Sequence, residues 1–573
     1  MIVSANTDVA AVLYEIGEIL TIKEDRFRSR AYLFAAQRIT SLTEDVKRVK
    51  ERGELDKIPG VGKSIAATIA EVLDTGQSKV LEELRESLPP GVRQLMELDG
   101  IGPKNAIRLI DVLKISSIDD LEKAAKEGRI RELKGFGEKK EQNILQSISD
   151  FRNMQTRFLL GEVLPVVDEM LKWMRESPAV LKAEVAGSFR RRKETIGDLD
   201  LLVASDDPVI ASDRFISMPP VERVVSHGAT RSAVFLKRHL QVDCRVVPPD
   251  AFGAALQYFT GSKDHNVKLR TLGVKMGFKL NEYGLFLRDG DILVASETEE
   301  EIYKALGMDW ISPELRENRG EIEAAIERKL PKLVKLEEVK GDLHCHSKWS
   351  DGTMTIQEVV ETARGLGLSY VAITDHSKSL GIAHGLDEAR LAEQGKEIDA
   401  INKELSDFTV LKGIECDIKA DGSMDLSDSS LADLDFVIGS IHSGFKNDEE
   451  TMTGRMISAM QNEHLDAIAH PTGRIIQKRK SYSLNLERVF EAAASQRVAM
   501  EINAFPERLD LDDVSCRQAM EAGAVMSIGT DAHALNQIQF LPLGVSVARR
   551  GWLTTKDVAN TRTAKEIVNL RRV

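Results

Sequence analysis

One short pattern occurs three times within the first 140 residues: Ile58-Pro-Gly-Val-Gly-Lys63, Leu98-Asp-Gly-Ile-Gly-Pro-Lys104 and Leu133-Lys-Gly-Phe-Gly-Glu-Lys139. Each copy stands before an apolar pattern of helical period. Glycine adopts backbone angles closed to other residues, so the paired glycines permit a tight turn between two helices. The helix that follows begins with backbone N–H groups that have no partner inside it. Such an end attracts anions, because the helix dipole is positive there and Lys63, Lys104 or Lys139 stands close behind. Residues 1–150 therefore read as all-helical, in two parts that divide near Pro89-Pro90.

Gly60, Gly62 and Lys63, Gly100, Gly102 and Lys104, and Gly135, Gly137 and Lys139 resemble the helix-hairpin-helix motif of DNA repair proteins, which grips the phosphate backbone without reading bases. The net charge of −13 runs against a DNA partner, since Lys and Arg normally supply most of the affinity for phosphate. Its distribution answers the objection: residues 1–330 carry 50 basic and 54 acidic side chains, net −4, leaving −9 for residues 331–573. Acidic metal sites account for part of that excess, and basic stretches such as Arg190-Arg191-Arg192-Lys193 are available to phosphate. No apolar run reaches the roughly 18 residues of a membrane span, and no secretion signal opens the chain. The four cysteines are scattered without a CxxC pair, which fits a reducing compartment; the expectation is a cytoplasmic protein.

After residue 180 the pattern changes. Glu184-Val-Ala, Leu199-Asp-Leu-Leu-Val, Ala233-Val-Phe-Leu and Leu240-Gln-Val-Asp-Cys-Arg-Val-Val are short and Val-rich, as strands are. Within them, Asp198-Leu-Asp200 places two carboxylates on one strand face, and Asp243 on a neighbouring strand completes a triad. Clustered carboxylates repel unless cations neutralise them, and an all-oxygen site suits Mg²⁺ together with substrate phosphates. The chemistry implied is two-metal nucleotidyl transfer, with Gly187-Ser188 opening a turn whose N–H groups face β and γ phosphates and Arg191 adding charge.

With this spacing residues 1 to about 320 resemble the family X DNA polymerases, and Tyr258-Phe-Thr-Gly261 matches that family's nucleotide-pocket motif. The resemblance implies that Tyr258 and Phe259 lie against the incoming sugar, that Asn266 meets the base or sugar edge, that Arg270 meets the template, and that Gly197 and Gly261 belong to the nucleotide site. It also implies a 5′-phosphate pocket from Arg28, Tyr32 and Lys63. One departure matters. Lyase-competent relatives carry a Schiff-base lysine in the helix after the first hairpin, whereas Ser64 through Ser78 holds none and Thr68 takes the matching place, so no lyase activity of that kind is expected.

Beyond Lys329-Leu-Pro-Lys-Leu-Val-Lys-Leu-Glu-Glu-Val-Lys340, read as a linker, short apolar strands such as Tyr370-Val-Ala-Ile-Thr and Phe436-Val-Ile-Gly alternate with helical stretches, the sign of a parallel barrel-like fold. Six of the 11 histidines fall here in short motifs: His344-Cys-His346, Asp375-His376, His442, His470 and Asp531-Ala-His533, with Asp351 and Glu415 between them. Imidazole with carboxylate favours Zn²⁺, Mn²⁺ or Fe²⁺, and a clustered site of this kind hydrolyses phosphoesters. The series resembles the PHP domain, a distorted (βα)₇ barrel. By that resemblance His344, His346, Asp351, His376, Glu415, His442, His470, Asp531 and His533 fill all nine ligand positions for up to three ions, and a Mn²⁺-dependent 3′→5′ exonuclease is expected. His384, Lys412, Arg474 and Arg508 are candidates for substrate contact, and His464 reads as a surface residue of a polar helical run.

The whole reads as a multidomain α+β and α/β chain: helix-hairpin-helix domains at 1–85 and 86–150, a mixed-sheet nucleotidyltransferase palm at 151–250, a nucleotide and template subdomain at 251–328, the linker at 329–340 and the PHP barrel at 341–573. The expected function is short-gap filling in DNA repair with 3′-end phosphoesterase action. Mg²⁺ or Mn²⁺ is expected at the triad and Mn²⁺ or Zn²⁺ at the barrel, with gapped or primed DNA and dNTPs as partners, no membrane, and a monomeric state. The alternative is a small-molecule phosphatase tethered to DNA by an inactive polymerase-like region.

Overall fold

The computed structural model describes the chain except residues 1, 24, 41–45, 59, 76–77, 87–90, 93–94, 96–97, 99–100, 102, 116, 134–135, 154–156 and 571–573, and at some further positions the side chain. Gly100, Gly102 and Gly135 lie outside the described residues, as does the side chain of Lys104. Two compact units emerge, Met1–Arg157 with Phe235–Gln241, and Phe158–Val234 with Val242–Val573.

In the first unit two separate cores form. Helices Ile2–Ile22, Arg26–Thr40 and Lys63–Thr75 bury Leu13, Ile16, Ala35, Ile39, Ile65 and Ile69 together, and the four-residue spacing of the last two puts them on one helix face. Helices Pro103–Leu113, Ile118–Lys126 and Glu138–Asn153 gather a second core around Leu98, Leu109, Leu121, Phe136 and Ile148. Each such fully buried aliphatic side chain stabilises its core by about 1.5–3 kcal/mol. Ser117 caps the second of these helices by accepting from the Asp120 N–H, which satisfies one otherwise unpaired donor. At the first hairpin Gly60 has φ of +88°, and a Cβ there would lie 2.1 Å from the Phe34 ring, so only glycine fits.

Among the described residues, the second unit holds three sheets and a barrel. Strands β2 (Lys182–Val185), β4 (Asp198–Ala204), β5 (Val221–Ser226), β6 (Arg231–Leu236) and β7 (Gln241–Val247) form a five-stranded sheet in the order β2-β4-β7-β6-β5. Short strands β1 (Phe158–Leu159) and β3 (Thr195–Ile196) pair beside it. Strands β8 (Phe278–Asn281), β9 (Gly284–Leu287) and β10 (Ile292–Ala295) make an antiparallel sheet that packs with helices Phe252–Thr260, Lys263–Lys275 and Glu299–Ala305 around Leu269, Leu285, Ile302 and Tyr303.

The barrel is a seven-stranded parallel sheet in strict chain order: β11 (Gly341–Cys345), β12 (Tyr370–Ile373), β13 (Thr409–Asp417), β14 (Phe436–Ser440), β15 (Ala467–Ile468), β16 (Ala499–Asn503) and β17 (Met526–Gly529). Helices cover the outer face, so nearly all strand residues are buried, and strands such as Tyr370–Ile373 read as continuous apolar runs rather than alternating ones. Closure between first and last strand is made at the top by the parallel bridge of Cys345 with Ala532. At the bottom Asn560, fully buried, donates to the carbonyls of Gly341 and Ile528, both at 2.8 Å, and accepts from the Ile528 N–H at 2.7 Å.

The passage 329–340, expected as a plain linker, is bound to the barrel instead of running free. Leu333 bridges Thr554, Val334 donates to the Leu553 carbonyl at 3.0 Å, and both side chains are buried. Leu333, Val334 and Val339 are the reason: left exposed, these side chains would forfeit the burial they find.

Candidate active sites

The first site sits on β4 and β7. In Asp198-Leu-Asp200 the intervening Leu199 is buried beneath the sheet, which turns both carboxylates to the other face. Strand β7 lies next to β4 and presents Asp243 between buried Val242 and Cys244. Gly187, φ +60°, starts the short helix Gly187–Arg190 hard against the pair: a Cβ there would lie 2.2 Å from Asp200 Oδ2. Burial, then the charges of Asp198 and Asp243, push the Asp200 carboxyl up to about 7. Carboxylates brought together on one sheet face in this way repel one another, and such an arrangement suits a cation.

Around this triad the expected nucleotide residues are tightly interlinked. Tyr258 and Phe259 meet edge to face at 5.2 Å between ring centroids, at the end of the helix Phe252–Thr260. Asn266 uses its amide within the protein: Nδ2 donates to the Tyr258 carbonyl at 2.7 Å, and Oδ1 accepts from Gln257 at 2.8 Å. In this arrangement it orients the Tyr258 backbone. Arg270 is exposed, with Nε donating to the Asn266 carbonyl at 3.3 Å. Arg191 is half-buried and donates to Glu317 at 3.1 Å and to the Thr260 carbonyl at 2.5 Å. Arg190, absent from the sequence reading of the site, makes a bidentate pair with Glu299, 2.8 Å at each nitrogen, and reaches Thr260 Oγ1 at 2.6 Å. Gly197 is exposed immediately before β4, and Gly261, φ +69°, ends the helix Phe252–Thr260.

In the helical unit, Lys63 opens its helix and is exposed; Lys139, second in its helix, is exposed too, as are Gly62 and Gly137. Tyr32 does not line an open pocket: it is buried, its hydroxyl 3.4 Å from Thr68 Oγ1. Two neutral hydroxyls facing each other satisfy themselves and offer no charge to a 5′-phosphate. Arg28 is exposed beside Asp25.

The second site is the mouth of the barrel, at the C-terminal ends of its strands. Glu415, fully buried on β13, is its centre. Its Oε2 lies 2.7 Å from His376 Nδ1 and 3.7 Å from both His344 Nε2 and His346 Nε2, while Oε1 lies 3.0 Å from His470 and 3.4 Å from His442. Asp531 Oδ1 stands 3.2 Å from His346 Nε2, and Asp351 Oδ1 faces His533 at 3.4 Å and His376 at 3.6 Å. All nine expected residues thus converge. Eight of them supply three groups whose ligand atoms lie within 4.8 Å: His346, Asp351, His376 and His533; His344, His346 and Asp531; His376, Glu415 and His442.

The residues fit divalent ions. His346 Nδ1, His376 Nδ1 and Glu415 Oε2 are buried without a hydrogen bond, even though the last two lie 2.7 Å apart, because they are not aligned for one. Buried polar atoms are ordinarily paired, so atoms aimed at a common point suit a cation. Burial alone would push Glu415 and Asp531 up, but the facing imidazoles hold both well below the usual carboxylate range. Burial opposes charge on His442 as well, yet Glu415 and Asp417 lift it to about 10. Protons on imidazole here hold the place that cations would take.

Two orienting carboxylates escape a motif search. Glu501 accepts from His344 Nδ1 at 2.6 Å and from the His470 N–H at 2.5 Å, and Asp417 accepts from His442 Nδ1 at 2.8 Å. Each fixes a tautomer that turns Nε2 inward. A signal was available: an acid within the apolar strand Ala499-Met-Glu-Ile-Asn503 of a parallel barrel must be buried, hence paired. Asp375 receives Ser347, Ser350 and Gln394, and so holds the loop that carries Asp351.

Of the suggested substrate contacts, Arg508 is at the centre, with Nε 3.4 Å from Asp531 Oδ2, and His384 is exposed on a nearby loop, φ +55°. Lys412 pairs with Asp399, and Arg474 is half-buried against Glu194 and Asp512, joining palm to barrel. His464 lies in a turn after the helix Glu449–Met460 and is half-buried, not on an open helical surface.

A carboxylate triad on adjacent strands beside a glycine-serine turn, and a barrel mouth with six imidazoles around a shared glutamate, define a class: two-centre enzymes of phosphoryl chemistry built for divalent cations. Family models agree, matching a helix-hairpin-helix domain at residues 4–78, a SAM-like helix-hairpin-helix tandem at 92–150, the DNA polymerase beta thumb at 255–317 and the PHP domain at 342–505. The chain is 36% identical to DNA polymerase/3′-5′ exonuclease PolX of Bacillus subtilis (strain 168) over 563 residues, 98% of each protein. It is 25% identical to DNA polymerase lambda of Rattus norvegicus over 54% of this chain and 56% of that one. Over 39% of its length it is 28% identical to a probable phosphatase of Thermoanaerobacter sp. (strain X514), covering 91% of that protein. The chain belongs to the PolX family of DNA polymerase/3′-5′ exonucleases.

Proposed function

We propose that the two centres divide synthesis from hydrolysis. Asp198, Asp200 and Asp243 catalyse nucleotidyl transfer to a primer 3′ end in short gaps, and the barrel site removes or cleans 3′ ends. The observation that supports this reading is that one chain holds two separate clusters of candidate cation ligands, one all carboxylate and one mainly imidazole. Divalent cations, when bound, supply Lewis-acid charge to the phosphates and activate the attacking oxygen. The acids on β4 and β7 hold them at the palm, where Mg²⁺ or Mn²⁺ suits oxygen ligands; the nine barrel residues suit Mn²⁺ or Zn²⁺, up to three ions.

Placement supports the remaining roles proposed. The N–H groups of the Gly187–Arg190 turn and the Ser188 hydroxyl face the triphosphate. Tyr258 and Phe259 form the wall beside the sugar, with Asn266 keeping the Tyr258 carbonyl in place, and Arg270 stands exposed toward the template. Lys63, Lys104 and Lys139, with the glycines that precede them, grip backbone phosphates of gapped or primed DNA. The domain limits are those proposed from sequence, with 329–340 as a docked connection. No described helix is long and apolar enough to cross a membrane. A monomer in the cytoplasm, using dNTPs, is the state we propose.

The test uses a 5′-labelled primer on a short-gapped duplex with Mn²⁺, with and without dNTPs. Extension should vanish in Asp198→Ala/Asp200→Ala while shortening persists, and the reverse should hold for His344→Ala/His346→Ala. Loss of both activities in either variant would contradict separate centres. A wild-type protein that does neither would point to a small phosphoester, the substrate class suggested by the barrel's likeness to a probable phosphatase.

A further inference from the structure

Palm and barrel meet through buried ions. Arg550, at the end of the barrel helix Leu541–Arg550, is buried and contacts three acceptors. Its Nη1 donates to the backbone carbonyl of Arg191 at 2.6 Å and to Glu317 at 3.1 Å; its Nη2 donates to Asp513 at 2.6 Å. Glu317 also receives Nε of Arg191 at 3.1 Å, and Arg191 in turn reaches the Thr260 carbonyl at 2.5 Å. The side chains of Arg191 and Glu317 are only 13% and 14% exposed, so little water competes for them. From Arg550 to the pocket turn Thr260-Gly261 the chain of contacts has no gap.

The direction of the effect follows from charge. Glu317 is shared by two guanidinium groups, one from each half of the molecule. Burial would push its carboxyl up, but Lys193, Arg550 and Arg191 hold it down at about 2, so it is an anion at working pH. Removing Arg550 leaves that buried anion short of a partner, a costly state. Of the cations left around it, Lys193, Arg191 and Arg319, Arg191 already donates to it, and an Arg191 drawn fully to Glu317 is turned and neutralised with respect to a triphosphate.

We propose that Arg550 is a positioning residue of the synthetic centre: by satisfying Glu317 and holding the Arg191 backbone, the barrel domain sets nucleotide affinity at a site it does not enter. This rests on the reading of Ser188, Arg191 and Tyr258–Gly261 as the nucleotide pocket. It makes the barrel a working part of the polymerase as well as the seat of hydrolysis.

The test is a kinetic cycle in the full chain, measuring KM for dNTP and kcat in gap filling, with exonuclease rate and melting temperature as checks on the fold. Arg550→Met should raise KM about tenfold, the worth of one charge-assisted contact, with kcat within about twofold. Glu317→Gln added to Arg550→Met should bring KM back to within about threefold of wild type, because the unpaired anion is gone. A merely structural joint would be weakened further by the second change. In a folded Arg550→Met protein, an unchanged KM, a double variant as poor as the single, or joint loss of both activities overturns the proposal. If Arg550→Met does not fold, Arg550→Lys, which keeps one ion pair but cannot span three acceptors, carries the same cycle with the same criteria. Ser188→Ala separates the two readings. A raised KM there with none in Arg550→Met refutes the linkage alone, and no change in either refutes the pocket itself.

Discussion

Asp200 is where function and stability oppose each other most directly, and Asp200→Asn measures by how much. A carboxylate with a higher pKa folded than unfolded subtracts stability once ionised. For Asp200, moved from 3.8 to about 7, nothing is lost below the lower value, the loss grows through the interval, and it is constant above the upper one. The full shift corresponds to about 4 kcal/mol at pH 8 and about 1.7 kcal/mol at pH 5. Partial exposure halves these to about 2 and about 1 kcal/mol, because solvent screens part of the repulsion from Asp198 and Asp243. Asparagine keeps the shape and removes the charge. In chelator at pH 8 the variant should therefore melt about 4 °C above wild type, with roughly half that gain at pH 5. Adding Mg²⁺ should reverse the order by stabilising wild type more, by about 2–3 kcal/mol at a hundredfold excess over its dissociation constant. Extension of a primer should be lost throughout. An Asn variant that melts at or below wild type at pH 8, or whose advantage is the same at pH 5, would refute the idea that burial and the neighbouring carboxylates raise Asp200.

Two further outcomes are expected. Glu501→Gln, which weakens the hold on His344 Nδ1, should lower metal retention and exonuclease rate by about 10–100-fold while leaving primer extension intact, and equal metal content by atomic absorption would refute it. Borohydride treatment with an abasic, nicked duplex should trap no adduct on residues 64–78, which hold no lysine and where Thr68 is buried against Tyr32; peptide mapping of an adduct to that stretch would refute this.

The parts of this protein legible in its sequence are those whose chemistry is local. Glycine pairs ahead of apolar helices mark turns, because a positive φ such as that of Gly60 is a property of one residue. Asp198 and Asp200 share a face because strand period is two, and His344 and His346 do likewise on β11 and just beyond it. Alternating strand and helix signals anticipated a parallel barrel, and its strands indeed follow chain order. Each inference needed only neighbours within a few positions.

Contacts between residues far apart in the chain are set by packing, and no local pattern encodes them. Glu501 meets His344 across 157 positions and Arg550 meets the Arg191 carbonyl across 359. Arg474 joins palm to barrel rather than facing substrate, the 329–340 passage docks, and Asn266 turns its amide to Tyr258. A buried charge or amide must find a partner wherever the fold brings one near, since leaving it unpaired costs several times what the pair contributes. Residue type alone therefore fixes which groups carry the chemistry, while the folded chain decides which groups hold them in place.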